Sequence, residues 1–343
     1  MKRIGILTGG GDAPGLNGIL ESCCKTLLNA GCELIGIMDG FEGIFENRVR
    51  NLSNSDVEGI HQQAGTLLGT SNRCGTAGRE DEFLRKYRLL KLDGLVIAGG
   101  DGTFSGLKSF EGTIPMMGVP KTIDNDLSGT EITFGYDTAV SVVAEAVDSL
   151  RTTANAHRRV IVVETMGRTA GWIALGGGLA SYADVILLPE RPFDKAKLKA
   201  FIHKKRQGGQ RGLLVVASEG ARALGEEVRV AFRVEGSPQP ERLGGIGQAL
   251  AVWIEHETGW ESRQVVLGHL QRASHPTTTD RFLTVTMGVE VSRMVLEGAW
   301  GNAVVYRNGR ILRAPIADLM GPARLVEADH RWVQLAQALG SFI

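Results

Sequence analysis

Residues 3–38 read RIGILTGGGDAPGLNGILESCCKTLLNAGCELIGIM, and this stretch sets the fold class. The apolar run 3–8 is typical of a buried strand, the glycine-rich turn 9–15 follows it, and the periodic segment that ends at Asn29 is typical of a helix. A second apolar run at 33–38 predicts another strand. Strand, helix and strand in this order form a βαβ unit, which favours a parallel sheet.

Further short apolar runs repeat this alternation along the chain. We expect strands at 94–98, 115–119, 160–164, 184–188, 213–217 and 264–268, and helices at 138–156 and 195–206. The segment 225–245 contains Pro238, Pro240 and several glycines, and we expect it to be an irregular excursion. The predicted class is α/β with mainly parallel sheets, in which ligands bind outside the carboxyl ends of the strands.

The composition bounds the class of protein. The chain has 343 residues, of which 43% are hydrophobic and 22% charged, and this favours two globular domains over a disordered or fibrous chain. Its 38 basic and 38 acidic residues leave no net charge, which argues against nucleic-acid or membrane-surface binding. The 4 cysteines form no C-x-x-C pair, and neither a signal peptide nor a membrane-length apolar stretch is evident. We therefore expect a reduced, soluble protein of the cytoplasm.

Two glycine-rich turns, 9–15 and 99–103, follow predicted strands. Backbone N–H groups in such turns can approach an anion closely, and the next helix adds its positive end. Neither turn fits the P-loop pattern or the dinucleotide pattern G-x-G-x-x-G, so an NAD-linked oxidoreductase is disfavoured. Asp101 suits Mg²⁺, which takes a carboxylate together with phosphate oxygens. The alternative is a structural turn in which Asp101 only caps the next helix.

The segment 122–126 reads TIDND and follows a predicted strand. Asp124 and Asp126 point the same way if the backbone stays extended. Two neighbouring carboxylates repel each other, which raises the pKa of one and makes it a candidate general base for phosphoryl transfer to a hydroxyl. The alternative is an Asx-rich turn without a chemical role.

Arginines near the predicted turns could bind phosphate, because a guanidinium group binds it in bidentate fashion. They are Arg73, Arg159, Arg168, Arg263 and Arg272. Glu219 and His269 follow strands and could hydrogen-bond a sugar. For each residue taken alone, a solvated or purely structural role remains the alternative.

Five segments in order resemble the 6-phosphofructokinase family over roughly residues 1–310. They are GGDAPGLN at 10–17, GGDGT at 99–103, PKTIDND at 120–126, MGR at 166–168 and LGHLQR at 267–272. The resemblance implies two Rossmann-like three-layer αβα domains, an active site in the cleft between them, and a homotetramer or homodimer. It also implies phosphoryl transfer from a nucleotide to O1 of fructose 6-phosphate.

The resemblance implies a role for each matching residue. Asp124 would be the general base, Thr122 would lie near the transferred phosphoryl group, Asp126 would support the base and the metal shell, and Arg168 would stabilise the transition state. The implied donor-binding residues are Gly10, Phe41 (near an adenine), Asn72, Arg73, Gly100, Asp101 (also the Mg²⁺ ligand), Gly102, Thr103 and Lys121. The implied substrate-binding residues are Thr122, Asp124, Met166, Gly167, Arg168, Glu219, His269 and Arg272, with Arg159 and Arg263 reaching the 6-phosphate in a neighbouring subunit.

The donor signature is mixed. Lys121 stands where nucleotide-using bacterial members of the family usually have glycine, and lysine is typical of pyrophosphate-dependent members. Gly102 leaves room for an α-phosphate that an aspartate would repel and crowd. We therefore expect ATP as the donor, with a reversible pyrophosphate-dependent enzyme as the alternative.

Two other positions depart from the family pattern. The segment 69–73 has one residue more before its arginine than the Gly-Ser-Ala-Arg form of the family. Either Asn72 or Arg73 could therefore face the donor. Glu21 and Lys25 stand where regulated bacterial members have two arginines for an effector phosphate. A carboxylate at position 21 would repel that phosphate, so we expect weak or absent regulation by phosphoenolpyruvate and ADP.

We expect a donor-binding domain of residues 1–137 and 250–300, and a fructose 6-phosphate domain of 138–249 and 301–343. A rival from another class is an inactive relative that only senses a sugar phosphate or nucleotide. Such a protein would have lost the base or the phosphate-binding arginine, yet Asp124, Asp126 and Arg168 are all present.

Overall fold

The computed structural model describes residues 1–71, 75–234 and 240–343. Its strands are β1 (Arg3–Thr8), β2 (Glu33–Ile37), β3 (Val49–Leu52), β4 (Gly94–Gly99), β5 (Met116–Pro120), β6 (Val160–Thr165), β7 (Val185–Leu187), β8 (Leu213–Ser218), β9 (Val230–Arg233), β10 (Glu241–Leu243), β11 (Ser262–Val266), β12 (Asn302–Arg307) and β13 (Arg310–Pro315).

Helices separate most of these strands. They are α1 (Leu16–Asn29), α2 (Phe41–Phe45), α3 (Asn54–Val57), α4 (Glu80–Leu89), α5 (Asp101–Leu107), α6 (Tyr136–His157), α7 (Trp172–Ala180), α8 (Lys195–Gln207), α9 (Ile246–Thr258), α10 (Leu270–Ala273), α11 (Thr278–Glu297) and α12 (Arg331–Ala338). Short 3₁₀ turns lie at Ile60–Gln62, Lys108–Phe110 and Ile316–Met320. Among the residues that the structure describes, no helix combines the length and apolar character that crossing a membrane requires.

The first compact unit comprises residues 1–138 and 272–323. Its sheet has the order β13-β12-β5-β4-β1-β2-β3, in which the five inner strands are parallel and the two edge strands antiparallel. One face packs against α1 and α11, and the other against α2, α4 and α5. Helix α1 fits this face because Leu16, Ile19, Leu20, Cys23 and Leu27 recur at helical spacing and are buried.

The second compact unit comprises residues 139–271 and 324–343. Its four-stranded sheet has the order β11-β6-β8-β7 and is parallel throughout. Helices α8 and α9 cover one face around a cluster that includes Leu198, Leu250 and Trp260. An antiparallel hairpin, β9–β10, follows β8.

The predicted α/β class with mainly parallel sheets is confirmed. The expected domain ranges differ from the two units in the segments 250–271 and 301–323. The first segment lies in the second unit because β11 pairs with β6, and the second lies in the first unit because β12 pairs with β5. The segment 225–245, expected to be irregular, contains the β9–β10 hairpin in its described part.

Candidate active site

In the first unit, three neighbouring strands bring the predicted donor turns together. The sheet order β5-β4-β1 places the turn after each strand at one edge, because these strands are parallel. The turn after β1 begins at Gly9, the turn after β4 contains Gly100, and the turn after β5 begins at Lys121.

Thr103 explains part of the glycine requirement. Its buried side chain would lie 2.7 Å from a Cβ atom at Gly9 and 2.6 Å from one at Gly99, so neither position accepts a side chain without a shift. Gly10 has a φ of +79°, which also favours glycine. A Cβ atom at Gly102, by contrast, would meet no atom of the described residues within 4 Å, so no described side chain fills the space that the donor argument requires.

Asn125 shapes the loop that carries the two predicted carboxylates. It is buried with a left-handed φ of +53°, so the backbone between Asp124 and Asp126 is not extended as the sequence suggested. Its Oδ1 atom accepts hydrogen bonds from the N–H and the hydroxyl of Thr133 at 3.0 and 3.2 Å. The Thr133 hydroxyl also lies 2.6 Å from the Thr122 carbonyl oxygen, to which it can donate. Asn125 and Thr133 together hold the loop from inside the protein.

The carboxylates of this loop have perturbed pKa values. Burial raises the pKa of Asp124, while the charges of Arg272 and Lys121 act against that rise. Burial, followed by the charges of Asp124 and Asp101, raises the pKa of Asp126 to about 6. Asp124 therefore contributes to the raised pKa of Asp126, although burial is the larger cause and the backbone between the two carboxylates is a left-handed turn and not an extended strand.

Lys121 is buried beside the first glycine-rich turn. Burial, followed by the positive charge of Arg272, lowers its pKa to about 7. The Nζ atom donates to the Gly11 carbonyl oxygen. An anion bound at the turn would favour the charged ammonium form, because an opposite charge stabilises it.

We expect Thr133→Val to lower kcat roughly tenfold, because the hydroxyl that fixes the Thr122 carbonyl and the Asn125 amide is lost. Valine has nearly the same shape but cannot donate to the Thr122 carbonyl oxygen, so we expect the fold to persist with a fall of about 1–3 kcal/mol in the free energy of unfolding. Thr286→Val, which removes an exposed hydroxyl that bonds only within α11, is the matched control. An unchanged kcat in Thr133→Val, measured at saturating substrate, would show that the loop does not need this anchor.

Asp101 fits a magnesium ion that arrives with a polyphosphate. It is exposed, begins α5 and accepts a hydrogen bond from the Ser105 hydroxyl at 3.3 Å. Over the described ranges, no group of three or more His, Cys, Asp or Glu side chains is arranged to hold a metal ion. Mg²⁺ commonly takes one or two carboxylates plus phosphate oxygens and water, so Asp101 meets this need without an all-protein cage.

Four other predicted donor or substrate residues belong to the first unit of the chain. Phe41 is buried with its ring 5.6 Å from that of Phe83, so it packs as a core residue. Arg272 donates from Nη1 to the Asp12 carbonyl oxygen at 2.6 Å, which attaches it to the first glycine-rich turn. Asn72 and Arg73 lie outside the described residues.

In the second unit, the predicted sugar-phosphate residues follow β6, β8 and β11. Gly167 has a φ of +129°, and a Cβ atom there would lie 2.6 Å from the Ser218 hydroxyl oxygen. The Met166 N–H donates to the Gln271 side chain at 3.3 Å, and the Arg168 Nη1 atom donates to the Glu241 carbonyl oxygen at 2.8 Å. Glu219 follows β8, and the exposed His269 follows β11, at the same edge of the sheet.

Arg159 and Arg263 lie at the opposite edge of that sheet. Each forms an ion pair with Glu261, at 2.9 and 2.5 Å. Strand β6 has 6 residues, so it separates Arg159 from Met166 by roughly 20 Å. The structure therefore brings these two arginines together but keeps them apart from the other sugar-phosphate residues of the same unit.

Known proteins similar to this chain identify its family. A sequence model described as "Phosphofructokinase" matches residues 3–295. The chain belongs to the phosphofructokinase family. The resemblance predicted from the five motifs is thereby confirmed.

Other members of this family match the chain over nearly its whole length. A protein of Chloroflexus aggregans described as an ATP-dependent 6-phosphofructokinase is 41% identical over 352 residues, which cover 99% of this chain and 97% of the relative. A second, the ATP-dependent 6-phosphofructokinase 2 of Clostridium perfringens, is 37% identical over 357 residues, with 99% and 98% covered.

Solved phosphofructokinase structures share the fold. The enzyme of Saccharomyces cerevisiae superposes with a TM-score of 0.81 at 27% identity over 93% of this chain, which spans 45% of the yeast chain. A pyrophosphate-dependent phosphofructokinase of Marinobacter aquaeolei gives a TM-score of 0.83 over 99% of this chain and 92% of that chain. Its identity of 21% means that this second likeness concerns the fold alone.

Glu21 is buried, and its carboxylate forms hydrogen bonds within the protein. It stands at the position where the resemblance predicts an arginine in regulated family members. Its carboxylate accepts from the backbone N–H groups of Gly59 and His61 at 3.2 and 2.9 Å, lies 2.7 Å from the His61 ring and pairs with Lys25 at 2.8 Å. Burial alone would raise its pKa, but the hydrogen bonds from Lys25, His61 and Gly59 hold the pKa at about 2. The loop N–H groups are thus engaged by the protein's own carboxylate. Weak or absent effector regulation stays a prediction.

This lowered pKa predicts a pH-dependent stability. A carboxylate with a lower pKa in the folded state stabilises the fold above its unfolded pKa and ceases to do so as the pH falls. For Glu21 the loss should extend from about pH 4.5 towards pH 2 and amount to roughly 2–3 kcal/mol of unfolding free energy. Urea unfolding at pH 7 and at acid pH should show this loss in the wild type and its reduction in Glu21→Gln. The exposed Glu58→Gln is the control, and equal pH dependence in all three proteins would contradict the prediction.

Two positioning residues were not among the predicted site residues. Asn125 could have been found, since Asn is favoured in left-handed turns and lies within the TIDND segment. Glu164 is the next-to-last residue of β6 and is buried, but its bonding partners come from a distant segment that sequence alone does not bring near it.

Proposed function

We propose that the chain phosphorylates fructose 6-phosphate at O1 with MgATP and produces fructose 1,6-bisphosphate, in cytoplasmic glycolysis. The observation that carries the proposal is the buried Asp124–Asp126 loop beside two glycine-rich turns, in a chain 41% identical over nearly its whole length to a relative described as ATP-dependent. ATP is supported because no atom of the described residues lies within 4 Å of a Cβ atom placed at Gly102, and a nucleotide needs room there for its α-phosphate.

Asp124 is the general base in this proposal. It accepts the proton of the sugar 1-hydroxyl while that oxygen attacks the γ-phosphorus atom, and the bond from phosphorus to the bridging oxygen of ADP breaks. The raised pKa of Asp124 suits the task, because a base is most effective when its pKa approaches the working pH. Thr122 lies near the transferred group, and Asp126 supports the base through its charge.

The donor binds along the turns of the first unit. Backbone N–H groups at Gly10, Gly100 and Gly102 contact the polyphosphate together with Thr103, and Lys121 adds positive charge. Asn72 and Arg73 complete the proposed donor set, and Phe41, which packs mainly in the core, would meet the adenine only through its small exposed part. Asp101 holds Mg²⁺, which when bound neutralises part of the charge on the phosphoryl oxygens.

The sugar phosphate binds to residues that follow the strands of the second unit, together with Arg272. Met166, Gly167, Glu219 and His269 hold the sugar, and Arg168 stabilises the negative charge of the transition state. Arg159 and Arg263 serve the 6-phosphate in a neighbouring subunit, so the active form is a homotetramer or homodimer. Their position at the far edge of the sheet supports this division of roles.

Pyrophosphate is the alternative donor, and the buried Lys121 beside the first turn is the observation that favours it. A coupled assay separates the two donors. The purified chain is supplied with fructose 6-phosphate, Mg²⁺ and either ATP or pyrophosphate, and fructose 1,6-bisphosphate is measured through aldolase. We expect turnover with ATP at least about 100-fold faster than with pyrophosphate. Turnover with pyrophosphate alone would overturn the donor assignment, and no turnover with either would favour the sugar-phosphate sensor.

A further inference from the structure

Glu164 is a buried carboxylate that the proposed reaction does not use. It lies near the end of β6, four positions before Arg168 in the chain. Its Oε1 atom accepts a hydrogen bond from the Gly245 N–H at 3.2 Å, and its Oε2 atom accepts one from the Gly247 N–H at 2.7 Å. A buried acid with two backbone donors is an anchor for the segment that supplies them.

The anchored segment leads directly back to the β9–β10 hairpin. Gly244 and Gly245 have φ values of +144° and +85°, and these left-handed conformations turn the chain between β10 and α9 towards Glu164. A Cβ atom at Gly247 would lie 3.1 Å from the Glu164 Oε2 atom, so the backbone approaches the carboxylate closely. The carboxylate therefore fixes the point at which β10 leaves the hairpin.

Core packing contributes little to the position of this hairpin. All four residues of β9 are exposed, and the Phe232 side chain is 60% accessible to solvent. The two strands are held together by their own pairing and by the ion pair between Arg233 and Glu241 at 2.9 Å. A hairpin that buries so little apolar surface depends on polar contacts at its base for its placement.

The hairpin in turn contacts Arg168. The Arg168 Nη1 atom donates to the Glu241 carbonyl oxygen at 2.8 Å, and Glu241 is the first residue of β10. Strand β10 has 3 residues, so the carbonyl that holds the guanidinium group is only a few residues from the anchored Gly245. Movement of the anchored end would move this acceptor.

We propose that Glu164 is a positioning residue: by anchoring the 241–247 segment it places the Glu241 carbonyl oxygen that orients the Arg168 guanidinium group. The inference rests on the proposed function, in which Arg168 stabilises the transferred phosphoryl group. Glu164 acts through Arg168 and contacts no substrate itself.

Glu164→Gln tests the proposal with little change of shape. A glutamine can accept from one of the two N–H groups through its carbonyl oxygen, but its NH₂ group cannot accept from the other. We expect kcat to fall between roughly 10- and 100-fold, with the KM for ATP changed less than about twofold. Asp184→Asn is the matched control, because Asp184 is a buried carboxylate at the opposite edge of the same sheet that accepts from the Leu214 N–H at 3.0 Å. Its kcat should be unchanged.

A double-mutant cycle with Arg168→Ala separates positioning from a general loss of structure. If Glu164 acts through Arg168, adding Glu164→Gln to Arg168→Ala should change the residual kcat less than about twofold. Hydrogen exchange of the segment 241–250 should become faster in Glu164→Gln, also in the Arg168→Ala background, and remain unchanged in Asp184→Asn.

Three results would overturn the inference. They are an unchanged kcat in Glu164→Gln, an equal fall of kcat in the Arg168→Ala background, and unchanged hydrogen exchange in the 241–250 segment. If the wild type is active and one of these results is found, this inference fails and the proposed function stands. Absence of turnover in the wild type would overturn the proposed function and this inference together.

Discussion

Asp124→Ser should lower kcat by roughly 10²–10⁴, the range expected when a general base is lost. The serine hydroxyl is a far weaker base than a carboxylate whose pKa burial has raised. The change also removes a negative charge next to Asp126, whose pKa should fall towards its ordinary value because the repulsion by Asp124 is gone. Steady-state rates with saturating fructose 6-phosphate and ATP measure the effect.

Donor binding should be nearly unaffected by Asp124→Ser, with the KM for ATP within about twofold of the wild type, since the substitution removes a group that acts on the sugar hydroxyl. Asp81→Ser, which makes the same chemical change on the exposed surface of α4, is the control and should keep the wild-type kcat. A near-normal kcat in Asp124→Ser would remove this residue from the mechanism.

Arg168→Ala should lower kcat by roughly 10²–10³, which is the usual cost of removing a group that binds charge developing in the transition state. The substitution should mainly lower kcat and should change the KM for fructose 6-phosphate less. The reason is that the guanidinium group interacts with the negative charge that develops on the phosphoryl group in the transition state. Rates measured over a range of sugar-phosphate concentrations separate these two parameters.

Arg211→Ala provides the matched control for this change. Arg211 is an exposed arginine two positions before the first residue of β8, at the amino edge of the second sheet. Its replacement should leave both parameters unchanged. If Arg168→Ala raised the KM tenfold and left kcat intact, Arg168 would bind the ground-state substrate and not the transition state.

The strands that carry the site could be predicted from sequence because they are buried on both faces. The central residues of these strands, 4–7 in β1, 94–99 in β4 and 160–163 in β6, are apolar runs, and such runs are typical of the inner strands of a parallel sheet. The edge strand β11 was predicted less well, at 264–268 against the observed Ser262–Val266. Arg263, Gln264 and Val266 in it are exposed, so its apolar pattern does not mark its bounds.

The residue types at the site could be predicted, but the contacts that orient them could not. The bend at Asn125 depends on Thr133, and Thr133 lies eight positions away in a segment without a distinctive pattern. Glu21 meets a loop 40 positions further along the chain, and Glu164 meets Gly247 at a separation of 83. Such pairs arise from tertiary packing, which local propensity and spacing do not encode.

The central claim is that an ionised Asp124 accepts the proton of the sugar hydroxyl, and the pH dependence of kcat tests it most directly. Because the pKa of Asp124 is raised, the wild-type kcat should rise with pH through an acid limb that lies above about pH 4 and should reach a plateau once the base is ionised. The residual kcat of Asp124→Ser should lack that limb. The same limb in both proteins would contradict the account.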